Sequence, residues 1–179
     1  MSFKIVFMGT PEFSVPTLES LINSKFEILS IYTQPPKKSK RGQKINVSSV
    51  QKFSEKNNLP VRNPENLNNE EEYNFIKSLS ADISVVVAYG KLIPKNILKT
   101  TKLGFINIHA SLLPKWRGAA PIQRAIMNGD KKTGVSIMKI EEKLDCGPII
   151  ASRELELNTR ATYGETEKNL SKIGANLLI

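Results

Sequence analysis

The chain has 179 residues, enough for one domain with a real core and too few for two comfortable ones. Hydrophobic residues make up 40% and charged residues 24%, no apolar run approaches the roughly 20 residues of a membrane helix, and the single cysteine, Cys146, rules out an internal disulfide or a zinc cage of several thiolates. The net charge of +9 invites a nucleic-acid partner, but most of the cations are lysines that serve equally well to solvate a surface, so only a local cluster counts as evidence. A cytoplasmic monomer with no membrane partner is expected.

In chain order, FKIVFM (3–8) is too short for a signal peptide and runs into Gly-Thr-Pro, so it reads as a first strand. VPTLESLINS suits a helix and FEILSIYT (26–33) a second strand. Pro35 and Pro36 then open a loop, whose segment KKSKRGQK (37–44) packs five cations into eight residues. VSSVQKFSEKNN returns to a period near 3.6 through Val47, Val50 and Phe53, and NEEEYNFIKSLS is a further helix. ISVVVA (83–88), GFINIH (104–109) and GVSIMKI (134–140) read as strands, with the helical AAPIQRAIMNGD before the last. PIIASRELEL (148–157) reads as a late strand at the sheet edge, and GETEKNLSKIGANLLI as a closing helix. That helix is still apolar at its end and lacks a cap, so the chain is expected to be part of a longer protein, a docked terminal helix being the alternative. Strands apolar on both faces and alternating with helices predict a doubly wound α/β domain, its mainly parallel sheet covered by helices on both faces.

In such sheets ligands bind outside the carboxyl ends of the strands. The first such turn, GTPEF (9–13), matches neither G-x-G-x-x-G nor the P-loop, which argues against dinucleotide and triphosphate sites. The stretch FINIHASLLPKWRGAAPIQ (105–123) holds the only histidine and the only tryptophan. Side-chain alternation puts Asn107 and His109 on one face, roughly 7 Å apart, at a strand end followed by a loop with Pro114, Gly118 and Pro121. A lone histidine is more often a satisfied structural residue. Here an amide donor and a proton-exchanging ring point together to where a ligand should lie, a pair able to polarise a carbonyl and receive a developing oxyanion. Asp145, in a turn before Gly147 and Pro148, is the carboxylate expected to orient the imidazole, although Asp beside Gly also caps turns. A Cys146–His109 nucleophilic dyad is the rival, and the neighbouring carboxylate works against a thiolate there. The sequence offers no ligand cluster for a metal, and none is expected.

INIHASLLPKWRGAAPIQRAI together with LDCGPII resembles the folate-dependent formyltransferases. Their Asn-x-His, Ser-Leu-Leu-Pro and Asp-x-Gly motifs fall on Asn107, His109, Ser111, Leu112, Leu113, Pro114 and Asp145 without gaps. GTPEF, TQPPKKSKRGQK and VVVAYGKLIP match the tRNA-modifying branch, so the resemblance covers essentially the whole chain. It implies a Rossmann-like formyltransferase fold, with residues 1–179 as the catalytic domain. It further implies formyl transfer from 10-formyltetrahydrofolate to the α-amino group of initiator methionyl-tRNA. Asn107 and His109 would stabilise the oxyanion while Asp145 holds His109. Tetrahydrofolate would lie against Ser111, Leu112, Leu113 and Pro114, its pterin among the backbone groups of Val87, Ala88, Tyr89 and Gly90, with Leu92 and Ile93 on its faces. Lys37, Lys38, Lys40, Arg41 and Lys44 would meet the tRNA acceptor end, with Arg41 on an Arg-Gly motif. The barrel-like RNA-binding domain that follows a linker in family members is expected to be absent from this chain.

Two alternatives remain open at this level. One is a formyltransferase acting on another amine, a ribonucleotide or a sugar nucleotide. GTPEFSVP is not the Gly- and Ser-rich phosphate loop expected of the former, and the latter has no evident need for the cations of 37–44. The other is a non-catalytic folate- or RNA-binding module, which would gain little from Asn107, His109 and Asp145 together.

Overall fold

Apolar runs with no polar face are satisfied only inside a sheet covered on both sides. The computed structural model, which describes residues 2–38 and 45–179, builds such a sheet. Its elements in chain order are β1 Lys4–Gly9, α1 Val15–Ile22, β2 Glu27–Tyr32, β3 Lys37–Lys38, β4 Ile45–Asn46, α2 Ser49–Lys56, β5 Val61–Arg62, α3 Glu70–Ser78 and β6 Ile83–Val87, followed by β7 Phe105–His109, α4 Pro121–Met127, β8 Lys132–Lys139, β9 Ile149–Glu156 and α5 Tyr163–Leu178. The seven-stranded sheet has the order β5-β2-β1-β6-β7-β8-β9. The first five strands are parallel, and β8 and β9 are antiparallel additions at one edge. Of the basic segment, Lys40, Arg41 and Lys44 lie outside the described residues, and Lys37 is exposed at the start of β3.

The doubly wound, mainly parallel architecture is the expected one, and every long apolar run is a strand. The two-residue strands β3, β4 and β5 carry too short a pattern to be read; β5, which begins right after Pro60 and includes Arg62, is a strand only because it pairs with β2. Three of the five α-helix starts follow the capping rule, α1 and α4 carrying Pro in their first turn instead. Ser48, Asn69 and Thr162 accept the backbone N–H groups of Gln51, Glu72 and Glu165.

Alternation divides the core. Ile5, Phe7, Ile31, Val85, Val87, Ile106, Ile108, Val135 and Ile137 face α1, α2, α4 and α5 through Leu18, Leu21, Val50, Ile122 and Leu170. Val6, Met8, Tyr32, Val86 and Phe105 face the other way, toward α3 through Ile76. Strand order reverses between β1 and β6, so the crevice expected of an open α/β sheet opens where Gly9 and Val87 end.

On the α3 side, Glu72 accepts from the Tyr32 hydroxyl at 2.7 Å and from Arg62 Nη2 at 2.7 Å, while the Arg62 guanidinium lies 4.0 Å from the Phe75 ring centroid. The Glu72 side chain is only 5% exposed and Arg62 is 28% exposed, so this is an ion pair largely withdrawn from water. Burial, together with Glu72, pushes the Tyr32 hydroxyl far above its ordinary range. Removing Glu72 leaves the buried Tyr32 hydroxyl without its acceptor and Arg62 with only the exposed Glu71, 3.0 Å away. Glu72→Ala is therefore expected to lower the unfolding free energy by about 3 to 5 kcal/mol in denaturant titration; a loss below about 1 kcal/mol, the value of a surface pair, would contradict the burial argument.

Candidate active site

Ile106 and Ile108 belong to the core cluster beneath α1 and α5, so Asn107 and His109 point to the opposite face. Helix α3 covers that face over β1, β2 and β6, and over β7 and β8 the cover comes from two loops. The first, residues 110–120, is laced to β8. Ser136 donates its hydroxyl to the Ser111 carbonyl at 2.8 Å and accepts the Leu113 N–H at 3.1 Å; Ser111 donates to the Lys115 carbonyl at 2.6 Å. Leu112 lies on Gly134, where a Cβ would collide with it and with the Arg153 carbonyl. The Leu113–Pro114 peptide is cis. The second loop, 140–148, folds back over the sheet from the far end of β8, with Ile140 against the cluster that includes Phe105. It returns Asp145 to the carboxyl end of β7.

There His109 Nε2 lies 3.0 Å from the Trp116 carbonyl oxygen and Nδ1 lies 3.7 Å from Asp145 Oδ2. The Asp145 carboxylate itself accepts the Gly118 N–H at 2.8 Å. Asp145 thus stands beside the imidazole as a charge partner, at a distance beyond a hydrogen bond, and the atom that directly holds the ring is a backbone carbonyl. The sequence reading missed Trp116 in this role because a main-chain acceptor leaves no residue-type signature. Asp145 has φ 47°, a conformation Asp tolerates better than most side chains. Gly147 explains the Asp-x-Gly spacing, since a Cβ there would overlap the Lys139 carbonyl where the turn seats on β8. Asn107 is partly exposed and its side-chain amide makes no hydrogen bond among the described residues. The Cys146 thiol is exposed and donates to the Leu144 carbonyl, an arrangement that does not engage the ring.

Across the crevice the end of β6 is held by its neighbours. The Tyr89 carbonyl accepts from Thr10 Oγ1 at 2.8 Å and Gln34 Nε2 at 3.0 Å, and the Val87 carbonyl accepts from Ser14 at 2.6 Å. The side chains of Val87 and Tyr89 are in the core, and burial pushes the Tyr89 hydroxyl up to about 12. Ala88, at φ 46°, and Gly90, at φ 79°, are the exposed part of the turn, and a Cβ on Gly90 would strike Gln34. Leu92 is exposed, and Lys91 beside it donates to the carbonyls of Pro64 and Glu65. Of the expected folate set, Val87, Tyr89 and Ser111 have their side chains turned inward and offer only backbone. Leu112 and Leu113 are half-buried and Pro114 is exposed.

A family model described as formyl transferase matches residues 3–179. The chain belongs to the formyl transferase family. It is 61% identical over 150 residues to the methionyl-tRNA formyltransferase of Pelagibacter ubique (strain HTCC1062), covering 83% of this chain and 48% of that protein. It is 51% identical to the protein of that name in Rhizobium rhizogenes (strain K84 / ATCC BAA-868), covering 99% of this chain and 57% of that one. To the methionyl-tRNA formyltransferase of Coxiella burnetii (strain RSA 493 / Nine Mile phase I) it is 49% identical, with 100% and 57% covered. The chain therefore spans about half the length of the curated relatives it matches. Among solved structures, phosphoribosylglycinamide formyltransferase from Bacillus halodurans aligns with a TM-score of 0.79 at 24% identity, over 97% of this chain and 90% of that one. A formyltetrahydrofolate deformylase from Pseudomonas syringae pv. tomato str. DC3000 aligns at 0.80 and 20% identity, over 99% and 59%. The fold is the Rossmann-like one of these two structures.

In this family member the loop that carries Trp116 hangs on one carboxylate the sequence reading passed over as a helix end. Asp130 accepts from Lys115 Nζ, Trp116 Nε1 and Asn128 Nδ2, each at 2.7 Å. These donors, Lys115 foremost, hold its carboxyl down at about 2, below the ordinary 3.8. A carboxyl lowered on folding stabilises the protein above its unfolded value and loses that contribution as pH falls toward the folded one. The gap in unfolding free energy between the parent and Asp130→Asn is accordingly expected to be full above about pH 4 and to close toward pH 2. A gap unchanged at pH 2 in an acid denaturation series would contradict this assignment.

Proposed function

We propose that residues 1–179 form the catalytic domain of a methionyl-tRNA formyltransferase, moving the formyl group of 10-formyltetrahydrofolate to the α-amino group of initiator methionyl-tRNA. The observation that carries this reading is the convergence of Asn107, His109 and Asp145 in the crevice of a chain with this family membership. No helix among the described residues is long and apolar enough to cross a membrane; a cytoplasmic, monomeric enzyme fits the substrates.

The folate fits the crevice by its chemistry. The exposed turn at Ala88 and Gly90 presents backbone to a flat, hydrogen-bonding ring, while Leu112, Leu113, Pro114 and Leu92 supply apolar walls. Bound there, it supplies an activated formyl group. The chain's own residues do the rest. Asn107 presents its unengaged amide to the formyl oxygen as negative charge grows on it, and the His109 ring lies on the same face. The Trp116 carbonyl can only accept, so it fixes the hydrogen of His109 on Nε2 and leaves the Nδ1 edge free to exchange a proton. Asp145 sets a carboxylate 3.7 Å from that edge, a counter-charge for the proton while it is held there. Overall one C–N bond forms at the methionyl amine, one C–N bond to the donor breaks, and one proton passes from the amine to the departing nitrogen. Lys37, Lys38, Lys40, Arg41 and Lys44 are the proposed tRNA contacts, since clustered cations grip phosphates without reading sequence.

Transfer of labelled formyl to methionyl-tRNA tests the assignment. His109→Ala and Asp145→Asn are each expected to lower turnover about 100-fold or more with little change in folate affinity. Cys146→Ser is expected to keep most activity. Near-normal turnover in either of the first two variants would remove the mechanism.

A further inference from the structure

Trp116 is a bulky residue held at φ 60°, a left-handed conformation that persists only where the surroundings enforce it. Its carbonyl meets His109 Nε2 at 3.0 Å because of that conformation. What enforces it is visible at the other end of the residue. The indole Nε1–H is tied at 2.7 Å to Asp130, whose carboxylate is itself fixed by Lys115 and by Asn128. The Arg124 guanidinium stands 5.0 Å from the indole centroid and donates to the Arg117 carbonyl at 2.9 Å. Asp130 lies two residues before β8, whose Ser136 sits opposite His109, so the anchor is close to the sheet along the chain. The chain of contacts runs from Asp130 through the indole to the Trp116 backbone and on to the imidazole.

We propose that Asp130 is a positioning residue for the reaction: by clamping the Trp116 indole it aims the Trp116 carbonyl at His109 Nε2, locks the Nε2–H tautomer and leaves Nδ1 as the working nitrogen beside Asp145. Asp130 touches neither substrate nor His109. Without the clamp Trp116 relaxes from the left-handed region, its carbonyl turns away, and the ring is free to carry its hydrogen on Nδ1 and to rotate. This inference rests on the formyl-transfer reading for its catalytic consequence, but the tautomer claim stands on geometry alone.

The chain's one histidine and one tryptophan make the test direct, because each gives a single set of resonances. In the uniformly nitrogen-15-labelled full chain at about pH 9, long-range proton–nitrogen spectra of the parent are expected to show Nε2–H. In Asp130→Ala the Nδ1–H form is expected to become populated, and turnover to fall about 100-fold with KM for the formyl donor little changed. Asp130→Asn, which keeps an acceptor for the indole, is expected to restore the parental tautomer and much of the turnover. Trp116→Phe, which removes the indole N–H and keeps the carbonyl, is expected to behave like Asp130→Ala and carries the test should that variant fail to fold. Parental Nε2–H spectra in both Asp130→Ala and Trp116→Phe would overturn the proposal. Because the spectra need no turnover, a parent chain that failed to formylate methionyl-tRNA would refute the functional reading without deciding this one.

Discussion

A non-glycine residue in the left-handed region costs roughly 1 to 3 kcal/mol, and Ala88, Trp116, Ala120 and Asp145 all occupy it in the loops that rim one crevice. At Ala88, Trp116 and Asp145 the conformation is countered by hydrogen bonds or close seating in the residues around it. Trp116 is held by Asp130, two residues before β8. Asp145 is held by the Gly118 N–H and by the seating of Gly147 against Lys139. Ala88 is flanked by carbonyls fastened to Ser14, Thr10 and Gln34. The sheet thus supplies the stability that the loops lose, and the proposed reaction is the use that the imposed geometry would serve.

The architecture leaves room for this arrangement because its two faces are covered unequally. Helices α1, α2, α4 and α5 close one face, whereas α3 covers the other only over its first strands. The helix α4, at seven residues about 10 Å long, is too short to return the chain to the amino end of the sheet, and β8 begins at the carboxyl edge and runs back antiparallel. The turn after β8 therefore starts at the wrong end of the molecule for a crevice residue, and loop 140–148 must fold over the uncovered face to bring Asp145 to His109. The gap beyond α3 and the direction of β8 are two halves of one solution.

What the sequence made legible, and what it hid, follows from where each signal resides. Strand and helix positions were plain because runs such as ISVVVA and the helical spacing of Val50 and Phe53 are side-chain patterns, although Val47, counted into that spacing, lies before the cap at Ser48. Asn107, His109 and Asp145 stood out because polar groups interrupt an apolar strand or precede a Gly-Pro turn. The Trp116 carbonyl was invisible, since a main-chain acceptor has no residue identity. Asp130 was concealed inside Asn-Gly-Asp, which reads as a helix end, and its three donors come together only in the fold. Strand β5 was hidden for a third reason: its pairing with β2, and not its own two residues, makes it a strand. Beside the expectation that Asp145 orients His109, the fold adds a main-chain partner: the Trp116 carbonyl lies 3.0 Å from Nε2, and the Asp145 carboxylate stands 3.7 Å from Nδ1.

The most direct measurement offers the chain a choice of amines. Incubated with 10-formyltetrahydrofolate labelled in the formyl carbon and equal concentrations of initiator methionyl-tRNA, a glycinamide ribonucleotide and an amino-sugar nucleotide, the protein is predicted to place the label on the methionyl amine. Label on either nucleotide acceptor, or release of labelled formate with no acceptor modified, would contradict the account.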